Sequence, residues 1–153
     1  MNTLLNIPST PEEWFHLASY GNLSEEFIHT YQDQLNWTCI STFQHLSEHF
    51  IRECIHRVNL FAICAHQQIS EQFIKDFVPE LIRYWDVISK FQKLSEDFIR
   101  EYQAKVNWYA ISRYQKLSED FIREFQDKVD WESISLYQTL SAEFLNEFKD
   151  RVD

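Results

Sequence analysis

Nine side chains near the start of this chain have the chemistry to hold a metal ion. All six His (His16, His29, His45, His49, His56, His66) and all three Cys (Cys39, Cys54, Cys64) precede residue 67. Cys54-Ile55-His56 and Cys64-Ala65-His66 form two C-x-H pairs, and zinc takes two thiolates and two imidazoles in a tetrahedron. Their spacing matches no zinc-finger pattern, and an odd number of Cys without regular spacing argues against a disulfide framework. For catalysis there is less. The chain has no Gly-rich phosphate loop, no H-E-x-x-H and no nucleophile elbow. No catalytic residue, metal or cofactor is therefore assigned.

The elements that would position these residues come from a repeat. Leu-Ser, once Ile-Ser, begins at Leu23, Leu46, Ile69, Leu94, Leu117 and Leu140, with spacings of 23, 23, 25, 23 and 23. A large residue keeps the same rhythm at Trp14, Trp37, Leu60, Trp85, Trp108 and Trp131. Two markers that slip together by two residues fix the register, and a period of this size marks a stacked repeat architecture.

One unit, Asp130 to Asp153, shows the logic. Asp130 caps a first helix in which Trp131, Ile134 and Tyr137 form an apolar stripe at i, i+3 and i+6. Leu140 closes a turn. Ser141 caps a second helix carrying Phe144, Leu145, Phe148 and Val152. The other units repeat the caps: Asn36, Asn59 and Asn107 before first helices, Ser24, Ser47, Ser70, Ser95 and Ser118 before second ones. Capping predicts helices of about 8 and 11 residues. Glu to basic pairs at i,i+4 (Glu48–Arg52, Glu53–Arg57, Glu96–Arg100, Glu101–Lys105, Glu119–Arg123, Glu124–Lys128) are expected along the second helices. Helices this short are marginal alone, so the units must stack. The expected fold is an all-α solenoid of six stacked short helical hairpins over residues 14–153, with residues 1–13 as an N-terminal cap or arm. Thr10-Pro11-Glu12-Glu13 reads as a capping box, and the two extra residues around Pro79 predict a local bend.

On this scaffold the Cys and His side chains fall in different layers. Cys54 takes the Tyr31/Phe77/Phe125 core place, His66 the Phe43/Tyr114 place and His56 the solvent-facing Asp33 place, so convergence on one ion is disfavoured. Gln44, Gln67, Gln92, Gln115 and Gln138 recur before each turn and are expected to tie adjacent loops together. The positions one and five after the Trp place do not keep their identity: Phe15/Ser19, Thr38/Thr42, Phe61/Ala65, Asp86/Lys90, Tyr109/Arg113 and Glu132/Leu136. They are i,i+4 neighbours away from the repeated core. A variable stripe carrying aromatics is where partner contacts would sit, and its candidate protein-binding residues are Phe15, Phe61, Asp86, Lys90, Tyr109, Arg113, Glu132 and Leu136.

Composition narrows the partner. Net charge is −10, with 3 Lys+Arg against 9 Asp+Glu in residues 1–76 and 11 against 15 in 77–153. Binders of phosphate backbones are normally basic, so nucleic acid is disfavoured; it would need the local strip Lys90, Lys93, Arg113 and Lys116. No apolar run approaches the ~20 residues of a membrane span, and the first residues lack the basic start of a signal peptide.

The unit D/N-W-x-x-I-S-x-Y-Q-x-L-S-E-x-F-I-R-E-F-x-x-x-V is seen best in Ile88 to Tyr102 and Ile111 to Phe125. It resembles a short helical repeat found in large paralogous sets in giant DNA viruses that infect amoebae. The likeness covers about residues 14–153 and is strongest from Trp85. It implies a viral protein made in a host cell, intracellular (cytoplasm or nucleus) and not secreted, and it brings no activity with it. The expected role is a non-enzymatic scaffold binding a host or viral polypeptide. The alternative is a self-assembling structural component, a homodimer or virion or viral-factory protein, joined through an exposed C-terminal repeat end.

Overall fold

The computed structural model describes residues 7–152. Of the expected N-terminal arm, residues 1–6 lie outside the described residues. The described residues form thirteen helices and no strand, an all-α helical repeat fold. The chain divides into two compact units, Met1–Ile69 and Ser70–Asp153. The division falls inside the third repeat, between its first and second helices.

The first unit holds α1 (Pro11–Tyr20), α2 (Glu25–Thr30), α3 (Trp37–Phe43), α4 (Glu48–Glu53) and α5 (Leu60–His66). The second holds α6 (Glu71–Asp76), α7 (Val78–Leu81), α8 (Trp85–Phe91), α9 (Glu96–Glu101), α10 (Trp108–Tyr114), α11 (Glu119–Glu124), α12 (Trp131–Tyr137) and α13 (Ala142–Glu147). Within the first unit the first helices pack in the order α1–α3–α5; within the second, α8–α10–α12.

Local chemistry sets the boundaries. Thr10 and Glu13 form the expected capping box ahead of α1. Each second helix starts on a Ser hydroxyl that accepts the N–H of the Phe three residues later. Asn36, Asn59, Asn107 and Asp130 do the same for first helices. The inserted segment is the exception. Pro79 sits in the first turn of the four-residue α7, where its missing N–H costs no helical bond. Tyr84 then precedes α8 without a side-chain cap.

The second helices are shorter than the capping signals predict, six residues rather than about 11. Each ends on the conserved-place aromatic or Cys (Tyr31, Cys54, Phe77, Tyr102, Phe125, Phe148), with φ from −102° to −116° and ψ from 19° to 28°. A tight turn follows: Lys128 N–H and Val129 N–H both reach the Phe125 carbonyl, at 2.8 and 3.0 Å. This turn swings the Val129 side chain into the core, where it is buried.

That early ending also corrects the ion-pair pattern. Glu101–Lys105 and Glu124–Lys128 do not form, because the lysines lie past the helix end and leave the i,i+4 surface. Glu101 instead meets Lys75 at 2.6 Å, and Glu124 meets Arg100 at 2.8 Å. Arg123 reaches Glu147 at 2.9 Å, and Arg57 reaches Asp33, not Glu53, at 2.9 Å. Within α9 and α11, Glu96–Arg100 and Glu119–Arg123 do face each other, at 3.7 Å. Bridges from one repeat to its neighbour thus stand beside those within single helices.

The core is built in layers of one hairpin each. Ile28, Ile40, Ile51, Ile63, Ile74, Ile88, Ile99, Ile111, Ile122 and Ile134 are fully buried, as are Phe73, Phe121 and Phe144. Each such side chain contributes roughly 1.5–3 kcal/mol of transfer free energy. The Trp lies across its own hairpin: Trp108 is 6.3 Å from Phe121 and 5.0 Å from Phe125, ring centre to ring centre. Its indole N–H donates five residues back, to the Gln103 carbonyl at 3.1 Å. Trp37 and Trp131 bond the carbonyls of Gln32 and Gln126 in the same way.

Candidate functional site

The Gln residues ahead of the turns form the expected ladder. Gln115 donates from Nε2 to the carbonyls of Ser89 and Gln92, at 2.9 and 2.7 Å, and accepts the Leu94 N–H at 3.0 Å. Gln44, Gln67 and Gln138 repeat this three-bond clasp on the preceding repeat. Two smaller ties accompany it. Ser41, Ser89 and Ser112 hydroxyls accept the N–H of the following Asn59, Asn107 and Asp130. Glu25, Glu71, Glu96 and Glu119 accept the N–H of the next repeat's capping Ser. That bond to Ser141 holds the Glu119 carboxyl below the usual carboxylate range. These carboxylates are thus engaged in joining repeats.

The clasp satisfies carbonyls at the C-terminal ends of the first helices, and there the exposed aromatics gather. Tyr20, Phe43, Phe91, Tyr114 and Tyr137 end α1, α3, α8, α10 and α12 and are 77, 61, 51, 45 and 48% exposed. The stripe rule places Tyr137 and its equivalents in the core; the structure puts them on the rim. Their angle about the helix is a core angle, about 60° from the Ile place. But each is the last residue of its helix, and its ring projects beyond the packed turns. Exposed His66 takes this place in α5.

The sequence-derived stripe lies at the surface too. Phe15, Phe61, Tyr109 and Leu136 are 53, 51, 53 and 67% exposed. Asp86, Lys90 and Glu132 are exposed, and Arg113 is half-buried. Not all of them act together. Asp86 accepts from Asn107 Nδ2 at 2.8 Å, bridging α8 to the next cap. Glu132 and Leu136 line a cavity of about 420 Å³ with Ser135 and Arg151. Phe15 and Phe61 belong to the first unit, the other six candidates to the second.

In the second unit two candidates join the rim. Lys90 Nζ lies 4.8 Å from the Phe91 ring centre and 5.4 Å from Tyr114. The Arg113 guanidinium lies 5.5 Å from Tyr114 and 4.3 Å from Tyr137. All four distances are within cation–π range. Rings and cations therefore alternate: Phe91, Lys90, Tyr114, Arg113, Tyr137. Tyr109 Oη steadies Arg113 by accepting from its Nη1 at 3.1 Å. The rings of this ladder are what the sequence reading missed. The signal was present: the aromatic place is the last position before each Gln turn, hence at a helix end.

The Cys and His residues do not assemble. Among the described residues no group of three or more His, Cys, Asp and Glu is placed to hold a metal ion. Cys39, Cys54 and Cys64 are buried, and none is in a disulfide. Burial pushes the Cys64 thiol up to about 12, and burial with the neighbouring Glu53 carboxylate raises that of Cys54. Among the described residues no helix is long and apolar enough to cross a membrane. Comparison with protein-family models, with curated proteins and with solved structures gives no match to this chain.

Proposed function

We propose that the chain is a non-enzymatic helical-repeat scaffold that binds another protein through the C-terminal rim of its first helices. One observation carries this reading: each first helix that ends in Tyr or Phe leaves that ring at least 45% exposed. A single exposed aromatic is ordinary, but a recurring row is a surface awaiting cover. Tyr and Arg are also the side chains that dominate binding energy at protein interfaces. The partner is taken to be a host or viral polypeptide on the viral-repeat resemblance alone.

Selection from a random displayed-peptide library tests this. Peptides should enrich on the protein and be lost on a folded Phe91→Ser/Tyr114→Ser/Tyr137→Ser variant. No enrichment, or enrichment indifferent to these substitutions, would overturn the proposal.

Self-assembly through repeat ends is supported less well. Among the residues that reach forward to a following repeat are a Glu after the Ser cap and a Lys or Arg four residues on. In the last hairpin these places hold Ala142 and Asn146, while Ser135 keeps the place of Ser41, Ser89 and Ser112. The residues that reach back are the clasp Gln and an acid; in the first hairpin these places hold Gly21 and Thr30. A Cβ at Gly21 would lie 2.5 Å from the Leu17 carbonyl oxygen, so the clasp cannot be regained there without a backbone shift. A copy stacked in register on either end would find these ties missing. Solution mass should stay at 18.6 kDa as concentration rises about a hundredfold.

A further inference from the structure

Two groups stand out among the basic residues of the second unit; Arg83, Lys105, Lys128, Lys149 and Arg151 belong to neither. Those on second helices are engaged: Lys75, Arg100 and Arg123 each hold a carboxylate of the neighbouring repeat. Those at the first-helix rim are not. Among the described residues, Lys90, Lys93, Arg113 and Lys116 form no ion pair with a carboxylate. In a chain of net charge −10, four cations on one rim without counter-charges are a local reversal of sign.

The neighbouring negative groups do not cancel them. Glu96 and Asp97 face Arg100, and Glu119 and Asp120 face Arg123. Asp86, hydrogen-bonded to the neutral Asn107 amide, and exposed Glu132 keep their charge, but both sit in the first turns of their helices, at the opposite end from the rim. The ends of α8 and α10 each contribute about half a negative charge, together about one against the four cations. The rim also has relief: Arg113, Tyr114, Lys116, Tyr137 and Thr139 line a cavity of about 280 Å³.

Resting on the protein-binding reading above, we infer that this rim of the second unit takes an extended acidic peptide segment, its carboxylates on Lys90, Lys93, Arg113 and Lys116 and its apolar side chains on Phe91, Tyr114 and Tyr137. Packed helices stand about 8–10 Å apart, and an extended segment in the polyproline II conformation has three residues per turn and rises about 3.1 Å per residue, so every third side chain shares a face. An acid at every third position therefore brings one carboxylate to each repeat. The rings are filled by the protein's own cations, which leaves charge on offer more than bare faces for stacked bases.

The test is fluorescence anisotropy with three labelled probes: a peptide of about 12 residues with Asp at every third position and Leu or Tyr between, its Asn counterpart, and oligouridylate. The Asp peptide should bind, weaken as salt is raised, and exceed the Asn peptide by at least about tenfold. Arg113→Glu with Lys116→Glu should abolish the preference. Lys149→Glu, an exposed charge change on the C-terminal segment, should leave it intact. Thermal melting of each variant checks that it folds. Equal binding of the Asp and Asn peptides would overturn the inference and leave the scaffold reading standing. Tighter binding of oligouridylate would reassign the rim to single-stranded nucleic acid. Binding of no probe would also overturn it, and the displayed-library selection then decides separately whether the scaffold reading survives.

Discussion

Replacing Gln115 by Ala should destabilise the protein far beyond what its polar character suggests. Gln115 is only 6% exposed, and its one side chain serves three backbone groups of the preceding repeat: the Ser89 and Gln92 carbonyls and the Leu94 N–H. An unsatisfied buried polar group costs about 1–3 kcal/mol. Three such groups, with water entering at the rim to replace some bonds, give an expected loss of about 2–5 kcal/mol. Gln138 makes the same three bonds but is half-buried, so solvent substitutes more readily and Gln138→Ala should cost about 1 kcal/mol. Lys116→Ala, next in sequence but exposed, should fall within about 0.5 kcal/mol of the parent. Gln115→Glu sharpens the test. Its carboxylate can still accept from Leu94 but would face two carbonyls, which favours the protonated acid and raises its pKa in the folded state. Stability of that variant should be highest below the ordinary Glu pKa, about 4.3, and fall as pH rises. The assay is urea unfolding across the series, with amide exchange at Leu94 as the local readout. If Gln115→Ala matches Lys116→Ala, the clasp contributes nothing and the account of how repeats are joined is wrong.

Three further outcomes are expected. The Trp85 indole N–H is buried without a hydrogen-bond partner, unlike those of Trp37, Trp108 and Trp131, because the insertion at Pro79 alters the chain that supplies the acceptor; its proton resonance should lie upfield of theirs, and a downfield position would reveal a partner. The Cys64 thiol, raised to about 12 by burial, should resist thiol reagents at neutral pH until urea unfolds the chain. Its folded pKa exceeds the unfolded one, so its contribution to stability is complete below pH 9.0 and is lost as pH rises toward 12; fast labelling of the native protein would contradict this. Glu119 has the opposite sign. Its pKa is lowered by the Ser141 N–H, so its contribution is present above the ordinary carboxylate value of 4.5 and is lost as pH falls below it. Exchange of the Ser141 amide should quicken there, and Glu119→Gln should remove that pH dependence.

The repeat and its caps were legible because each has a local signature: Leu-Ser at a fixed period, Asn or Ser ahead of apolar spacing, Gln before each turn. The Gln ladder was legible as well, since one amide can clasp both donors and acceptors. Axial position was not. Tyr114 and Tyr137 satisfy the stripe rule in angle, but angle carries no information about distance along the helix, and a ring on the final residue escapes the packing that buries Ile111 and Ile134. The ends of the second helices were hidden for a related reason. Phe125 and Val129 keep helical spacing through a tight turn that only mimics the next helical turn, so Lys128 was paired with Glu124 when its partner is Gln103, at 2.5 Å. Of the eight stripe candidates, Lys90 and Arg113 meet the aromatic rim, Tyr109 touches it only through Arg113, and Asp86 ties one repeat to the next.

The most direct test of the central claim is an amide NMR titration of the protein with a peptide taken from the displayed-library selection. The account predicts perturbed resonances at the ends of the first helices, in the second unit over Lys90–Lys93, Arg113–Lys116 and Leu136–Thr139. Perturbations confined to the second helices, around Arg100, Arg123 and Glu147, would contradict it.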